Sequence, residues 1–164
     1  ITVTAIVNPP ITISGINSTV CGLSSANISV NSNGTNYLWS NGATTATTSV
    51  TPLSFGLNNY TVTVTSGPCS VTTTVSVLAQ PTVTVTSNNA TVCGLNAANV
   101  SVNSNGTNYL WSTGASTAAT TVTPTAIGIN NYTVTISSGV CSVTTTVSVL
   151  AQTTVTVTSN NATV

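Results

Sequence analysis

The chain has 164 residues and contains no Asp, Glu, Lys, Arg or His, so its formal net charge is zero. A soluble domain of this length ordinarily carries roughly 40 charged side chains, at about 25% usage. General acid–base catalysis, metal binding and nucleic-acid binding all depend on the missing residue types. The composition therefore predicts no enzyme, no catalytic residue, no cofactor, no metal site and no nucleic-acid partner.

The uncharged composition is that of a β protein. Thr occurs 37 times and Ser 22 times, and these residues alternate with Val and Ile, as is typical of strands. The mean hydropathy of +0.42 predicts a folded rather than a disordered chain. No apolar run is long enough for a membrane span, and the first residues lack a secretory leader pattern, so we expect a mature or internal segment, already exported.

A 72-residue repeat organises the chain. Residues 9–80 align with residues 81–152 without a gap, and 51 of the 72 positions are identical. Such a period predicts an array of similar modules. Residues 1–8 match the last strand of a preceding repeat, and residues 153–164 match the first strand of a following one. The segment is then either a window from a longer array or a subunit whose end strands complete its neighbours by strand addition.

Alternating apolar and polar residues predict the strands of the first module in chain order. They lie around Ile11 and Ile13, Ile28 and Val30, Tyr37 and Trp39, Val50, residues 60–64 and residues 71–77. The turn signals are Asn41-Gly42 and Ser66-Gly67-Pro68. About seven short strands without a helix are typical of an immunoglobulin-like sandwich, so the fold class predicted is all-β, in tandem repeats. In such a fold we expect four aromatic residues to be core rather than ligand contacts: Trp39, Tyr60, Trp111 and Tyr132.

The four cysteines are Cys21, Cys69, Cys93 and Cys141, and they allow three pairings. Because equivalent modules should be bridged alike, we expect one disulfide per repeat, joining Cys21 to Cys69 and Cys93 to Cys141. Each bridge would close a loop of about 48 residues and stabilise its module by about 4 kcal/mol in the chain-entropy model. The first and last hairpins of a simple seven-strand order lie at opposite ends, so this pairing requires a kinked first strand. Disulfides predict an oxidising, extracellular location.

Asn-X-Ser/Thr sequons are acceptors for N-linked glycans in exported proteins. Chance placement of the 20 Asn residues in this Ser/Thr-rich chain already gives about seven of them. The number observed is therefore no enrichment, although glycans would keep an uncharged chain soluble. The nine sequons are at Asn17, Asn27, Asn33, Asn59, Asn89, Asn99, Asn105, Asn131 and Asn161.

Two sequence motifs resemble a known family. NYLWSNGATT at residues 36–45 and NYTVTVTSGPCSVTTTVSV at residues 59–77 recur in the second module as NYLWSTGAST and NYTVTISSGVCSVTTTVSV. They are similar to the Ig-like and PKD-like repeats of large cell-surface adhesins from Bacteroidota. The resemblance implies adhesins or fibres that are secreted by the type IX system, anchored to the cell and used in gliding and attachment. Those repeats usually contain some charged residues, whereas this chain has none.

Three functions are consistent with these observations. The first is a structural stalk, a non-catalytic segment of an extracellular filament, in which uncharged strands associate with neighbouring repeats or subunits. The second is an adhesin module that binds surface glycans through Trp39, Tyr37 and the Asn-rich segment 31–36. The third is ice or mineral binding by the rows Thr61 to Thr65 and Thr82 to Thr86.

Overall fold

The computed structural model describes residues 9–158. Two predicted strands fall wholly or partly outside this range: the strand of a preceding repeat at residues 1–8, and residues 159–164 of the strand of a following one. The sequon at Asn161 also lies outside the described residues. Residues 153–158 are described and form no strand. The chain divides into two compact units, with the boundary between Thr82 and Val83.

The described residues of each unit form seven strands and include no helix, so the all-β prediction and the strand number are confirmed. In the first unit they are β1 (Ile13–Ile16), β2 (Ser18–Cys21), β3 (Ala26–Ser32), β4 (Asn36–Trp39), β5 (Thr47–Val50), β6 (Gly56–Ser66) and β7 (Cys69–Gln80). In the second unit they are β8 (Val85–Asn88), β9 (Ala90–Cys93), β10 (Ala98–Ser104), β11 (Asn108–Trp111), β12 (Ala119–Val122), β13 (Gly128–Ser138) and β14 (Cys141–Gln152).

The strands of each unit form two sheets. In the first unit the orders are β1-β3-β5 and β2-β7-β6-β4, and in the second unit they are β8-β10-β12 and β9-β14-β13-β11. All pairs are antiparallel except β2 with β7 and β9 with β14, which are parallel. The first two strands of each unit therefore lie in different sheets. In the first unit β1 belongs to the three-stranded sheet and β2 to the four-stranded sheet, and in the second unit β8 and β9 are divided in the same way. With Trp39 on β4 and Tyr60 on β6, this arrangement is an immunoglobulin-like sandwich.

Period-2 alternation buries one face of each long strand. On β7, Val75, Val77 and Ala79 are buried, whereas their neighbours Thr74 and Leu78 are exposed. Successive side chains of a strand point to opposite faces, so one apolar set from each sheet fills the space between the sheets. The first core contains Ala26, Ile28, Val30, Trp39, Val50, Val62, Val64, Val75 and Val77, and the second contains the equivalent residues of the second unit.

Two aromatic residues connect each core to the backbone. Trp39 is only 2% exposed, and its Nε1 donates a hydrogen bond to the carbonyl oxygen of Thr45 at 2.8 Å. The Tyr60 ring packs against the core, and its hydroxyl donates to the carbonyl oxygen of Thr51 at 3.1 Å. This second bond is the tyrosine corner of immunoglobulin-like domains. The equivalent bonds of Trp111 and Tyr132 measure 2.8 and 2.9 Å.

The chain starts each unit at one end and leaves it at the other. In the first unit, the Thr12 amide donates to Asn33 Oδ1 and Asn33 Nδ2 donates to the Pro10 carbonyl, which places the start of the unit beside the loop after β3. The amide of Thr35, in this loop, donates to the carbonyl of Thr65, close to the β6–β7 turn. We call this the hairpin end. The other end, where the chain leaves at Gln80 or Gln152, is called the glutamine end.

Candidate functional site

The cysteines of the first unit lie at its two ends. The parallel pairing of β2 with β7 sets Cys21 opposite Gln80, and the Gly22 amide donates to the Gln80 carbonyl at 2.8 Å. Cys69 is the first residue of the same strand β7, which has 12 residues. At about 3.3 Å per residue, Cys69 and Gln80 are about 36 Å apart along the strand. Cys21 therefore lies at the glutamine end and Cys69 at the hairpin end.

The second unit repeats this arrangement. Cys93 pairs with Gln152 in the register of β9 with β14, and Cys141 is the first residue of β14. The Gly94 amide donates to the Gln152 carbonyl at 2.6 Å, as Gly22 does to Gln80. Each unit thus carries one cysteine at each end.

The predicted disulfides within the modules are wrong. A disulfide requires Cα atoms no more than about 7 Å apart, and the two cysteines of one unit are separated by about the length of its longest strand. Instead, Cys21 and Cys141 are disulfide-bonded, whereas Cys69 and Cys93 are free thiols. Among the described residues there is one disulfide rather than one per repeat. The kinked first strand that the prediction required does exist, but β2 runs parallel to β7, away from Cys69.

The aromatic residues considered for glycan binding are buried or half-buried and hydrogen-bonded within the fold. Trp39 is buried in the core, and Tyr37 is half-buried with its hydroxyl donating to the Gly34 carbonyl at 3.3 Å. In the Asn-rich segment, both ends of the Asn33 amide bond the backbone at the start of the unit. A shallow groove of about 360 Å³ beside this segment is lined by Thr12, Ile13, Ser14, Asn31, Ser32 and Asn33. No aromatic side chain lines it among the described residues.

The long strands β6 and β7 carry hydrogen-bonded polar side chains on their outer face. Thr63 and Thr72 share a hydrogen bond of 2.8 Å between their Oγ1 atoms, and Ser76 Oγ donates to Asn59 Oδ1 at 2.7 Å. The second unit has the same two bonds, at 2.8 and 2.7 Å. The other predicted row, Thr82 to Thr86, is only partly a strand because β8 begins at Val85. Part of this hydroxyl surface is therefore bonded within the sheet.

All sequon asparagines in the described range are exposed: Asn17, Asn27, Asn33, Asn59, Asn89, Asn99, Asn105 and Asn131. Several use their side-chain oxygen to fix the backbone. Asn17 Oδ1 accepts from the Ser76 amide at 2.8 Å, and Asn89 Oδ1 accepts from the Ser148 amide at 2.9 Å. These bonds join β7 and β14 to the short connections that precede β2 and β9. Glycosylation of these residues stays a prediction.

Residues 9–158 contain no group of three or more His, Cys, Asp or Glu that could hold a metal ion. Across the same part of the chain, no helical segment has the length and hydropathy that a membrane span requires. Every buried side-chain nitrogen and oxygen in this range has a hydrogen-bond partner. The buried polar side chains of this range thus serve the fold.

No protein-family model matches the chain, and no curated protein sequence matches it significantly. Solved structures do match. Extracellular domains 3–5 of Drosophila OTK align with a TM-score of 0.53 and 11% identity over 86% of this chain and 62% of that one, so the chain spans less than two thirds of that structure. DIP-gamma IG1+IG2 aligns with a TM-score of 0.41 and 13% identity, over 88% of this chain and 98% of that one. The OTK match supports the immunoglobulin-like fold of the chain.

Proposed function

We propose that the chain is a structural, non-catalytic segment of an extracellular filament or adhesin stalk built of tandem immunoglobulin-like modules. One observation carries the proposal: in each unit the chain starts at the hairpin end and leaves at the glutamine end. Modules of this kind, joined through short connections, extend an array with every repeat. The disulfide-bonded Cys21 and Cys141 agree with an extracellular location, because disulfides persist in oxidising compartments.

The proposed modules are residues 9–80 and 81–152, with residues 1–8 and 153–164 belonging to neighbouring repeats. The similarity of their motifs to Bacteroidota surface adhesins supports a bacterial, cell-surface origin. The lack of any charged side chain supports a role as material rather than as a catalyst. Surface glycans are a weaker proposal as partners, since Trp39, the strongest candidate for stacking on a sugar, is buried.

The edges of the sheets favour self-association at the module ends. Each sheet of the first unit ends in strands of four residues, which are β1 and β5 in one sheet and β2 and β4 in the other. Very short edge strands limit the pairing of one sheet with another, even where no Lys protects the edge. The long strands β6 and β7 are internal to their sheet. We therefore propose that neighbouring modules meet end to end rather than side by side.

Small-angle X-ray scattering of the purified chain, together with electron microscopy of cells that produce the whole protein, tests this function. We expect the two modules to give an elongated particle, and antibodies raised against the chain to label filaments outside the cell. A compact particle in which the two modules lie side by side, or labelling confined to the cell interior, would contradict the proposal.

A further inference from the structure

The two free thiols occupy the same positions as the two bonded cysteines. Cys93 lies at the glutamine end of the second unit, as Cys21 does in the first, and Cys69 lies at the hairpin end of the first unit, as Cys141 does in the second. Of the two bonded cysteines, Cys21 thus lies at a glutamine end and Cys141 at a hairpin end. The free pair also consists of one from each kind of end.

The local backbone is the same around bonded and free residues. Cys21 and Cys93 each end a short strand that runs parallel to a long one, and each is followed by a glycine with positive φ, Gly22 at 69° and Gly94 at 63°. Cys69 and Cys141 each begin a long strand after a turn with a positive-φ glycine, Gly67 at 56° and Gly139 at 59°. The strand ends and glycine turns that position Cys21 and Cys141 for bonding therefore position Cys93 and Cys69 in the same way.

We propose that Cys93 and Cys69 are covalent connection points, each forming a disulfide with an opposite-end cysteine of a further module. This inference rests on the proposed end-to-end array and deepens it, since it names the bond that joins modules. A partner within the same unit is excluded by the distance of about 36 Å between its two ends. Cys93 is exposed and Cys69 is half-buried, so both are accessible to another molecule.

The chemistry of the bond is thiol–disulfide exchange. The Cys93 thiol of one module and the equivalent of the Cys69 thiol in a further module together lose two protons and two electrons and form one S–S bond. The electrons reduce an external disulfide, either a small molecule such as glutathione disulfide or a protein disulfide oxidant, to two thiols. Each new bond adds one module-to-module connection and leaves an unreacted glutamine-end thiol and an unreacted hairpin-end thiol at the two extremities.

Two matched variants test the proposal on the full chain, Cys69→Ser and Cys93→Ser. The wild-type chain, incubated with glutathione disulfide, should give a ladder of species at multiples of 16.3 kDa on a non-reducing gel. Each variant alone should give no ladder and remain monomeric, because it retains a free thiol at only one kind of end. An equal mixture of the two variants should give a dimer, and mass spectrometry should identify a linked Cys69–Cys93 peptide in it.

The possible outcomes distinguish failure of the opposite-end rule, failure of this inference and failure of the proposed function. Homodimers of a single variant in amounts equal to the mixed dimer would overturn the opposite-end rule, and the absence of any linked dimer would overturn the inference altogether. Circular dichroism melting of both variants checks that Ser leaves the fold intact. If scattering shows elongated particles while both thiols stay free, this inference fails and the proposed function stands, whereas compact particles contradict the proposed function itself.

A parallel measurement on native material distinguishes two sources of the partner cysteine. If the partner belongs to a separate copy, reduction should lower the apparent mass of the protein on a denaturing gel. If the partner lies in a further repeat of the same polypeptide, reduction should leave the mass unchanged while a linked peptide disappears from the digest. Free thiols at both positions in native fibres would refute the proposal.

Discussion

The two units have nearly the same core, and the two positions at which their cores differ compensate each other. Ile28 and Val64 of the first core correspond to Val100 and Ile136 of the second. Each pair contains one Ile and one Val, so the summed side-chain volume is unchanged although the extra methylene has moved from β3 to the long strand. Close-packed interiors tolerate volume-conserving exchanges far better than single gains or losses. The comparison therefore indicates that total volume, rather than each residue, is constrained.

The loops that precede the long strands differ far more. Residues 53–55 are Leu-Ser-Phe in the first unit, whereas residues 125–127 of the second are Thr-Ala-Ile. Leu53 is 91% exposed, so its side chain contributes little to packing. The backbone is nevertheless held in the same way, because Asn58 accepts from the Leu53 amide at 3.0 Å and donates to the Ser54 carbonyl at 2.8 Å. Asn130 makes the same two bonds, so only the asparagine needs to stay constant.

The largest effect is expected from Trp39→Ala and its counterpart Trp111→Ala. Each change removes the largest core side chain of one unit and should cost about 3–5 kcal/mol in the free energy of unfolding of that unit. Hydrogen exchange followed by mass spectrometry would show faster exchange in the peptides of the altered unit, and the other unit serves as an internal control. Equal acceleration in both units would show that they do not fold independently.

A difference between the units is expected at Gly34 and Gly106. A Cβ at Gly34 would overlap with Val64 Cγ1, and a Cβ at Gly106 would overlap with Ile136 Cγ2 and also lie 3.3 Å from Val83 Cγ1. Overpacking of this kind costs about 1–3 kcal/mol. We expect Gly106→Ala to destabilise its unit more than Gly34→Ala, as measured by denaturant unfolding. Combining Gly34→Ala with Val64→Ala should cost less than the sum of the single changes, and simple additivity would refute the steric explanation.

The exchanged core pair can be tested directly by converting the first core into the second. Ile28→Val should cost about 0.5–1.5 kcal/mol by leaving a small cavity, and Val64→Ile should cost about 1 kcal/mol or more by overpacking. The double variant should regain most of this loss, because it reproduces the pair found in the second unit. Unfolding midpoints of the four proteins form a double-mutant cycle, and a coupling energy near zero would show that the exchange is coincidental.

The strands were predictable because their signal is local. The alternation Tyr60, Val62, Val64 is visible in the sequence, and these residues lie on one face of β6 with Val62 and Val64 fully buried. Trp39 could be assigned to the core for a similar reason, since it precedes a turn at Asn41-Gly42 within a strand pattern. Period-2 patterns report which face is apolar, and this was enough to give the fold class.

The cysteine positions could not be predicted because they depend on a long-range register. Nothing local to Cys21 shows that β2 pairs in parallel with the last four residues of β7. The prediction also treated each module as closed on itself, so repeat symmetry could only suggest bonds within a module. Bonds between cysteines at opposite kinds of end would also treat every module alike. The two bonded cysteines fit this scheme, since Cys21 comes from a glutamine end and Cys141 from a hairpin end.

A smaller effect is expected from Tyr60→Phe and Tyr132→Phe. Each removes a hydroxyl that donates to a backbone carbonyl, and a hydrogen bond of this kind contributes about 0.5–1.5 kcal/mol. The two variants should lower the free energy of unfolding of their units by similar amounts, as measured with denaturant, because the tyrosine corner is the same in both. A clear loss in only one unit would show that the two corners are not equivalent.

The smallest effect is expected from pH. Stability depends on pH only through groups that bind protons differently in the folded and unfolded states, and the chain has no Asp, Glu, His, Lys or Arg side chain. The melting temperatures of both units should therefore stay nearly constant from about pH 3 to pH 8. Differential scanning calorimetry across this range provides the measurement, and a shift of several degrees in either unit would contradict it.

The parallel pairing of β2 with β7 has a mechanical consequence. Tension applied to the two ends of a module pulls β7 toward the glutamine end and pulls β2, through β1, toward the hairpin end. When the disulfide of Cys21 is reduced, the load passes through the register that joins Ser18–Cys21 to Val77–Gln80, so it acts along the strands and shears the whole ladder at once. Bonds loaded in shear share the force, whereas bonds at the end of a peeled hairpin break one after another. A module of this kind resists extension along its own axis without the help of a single charged residue.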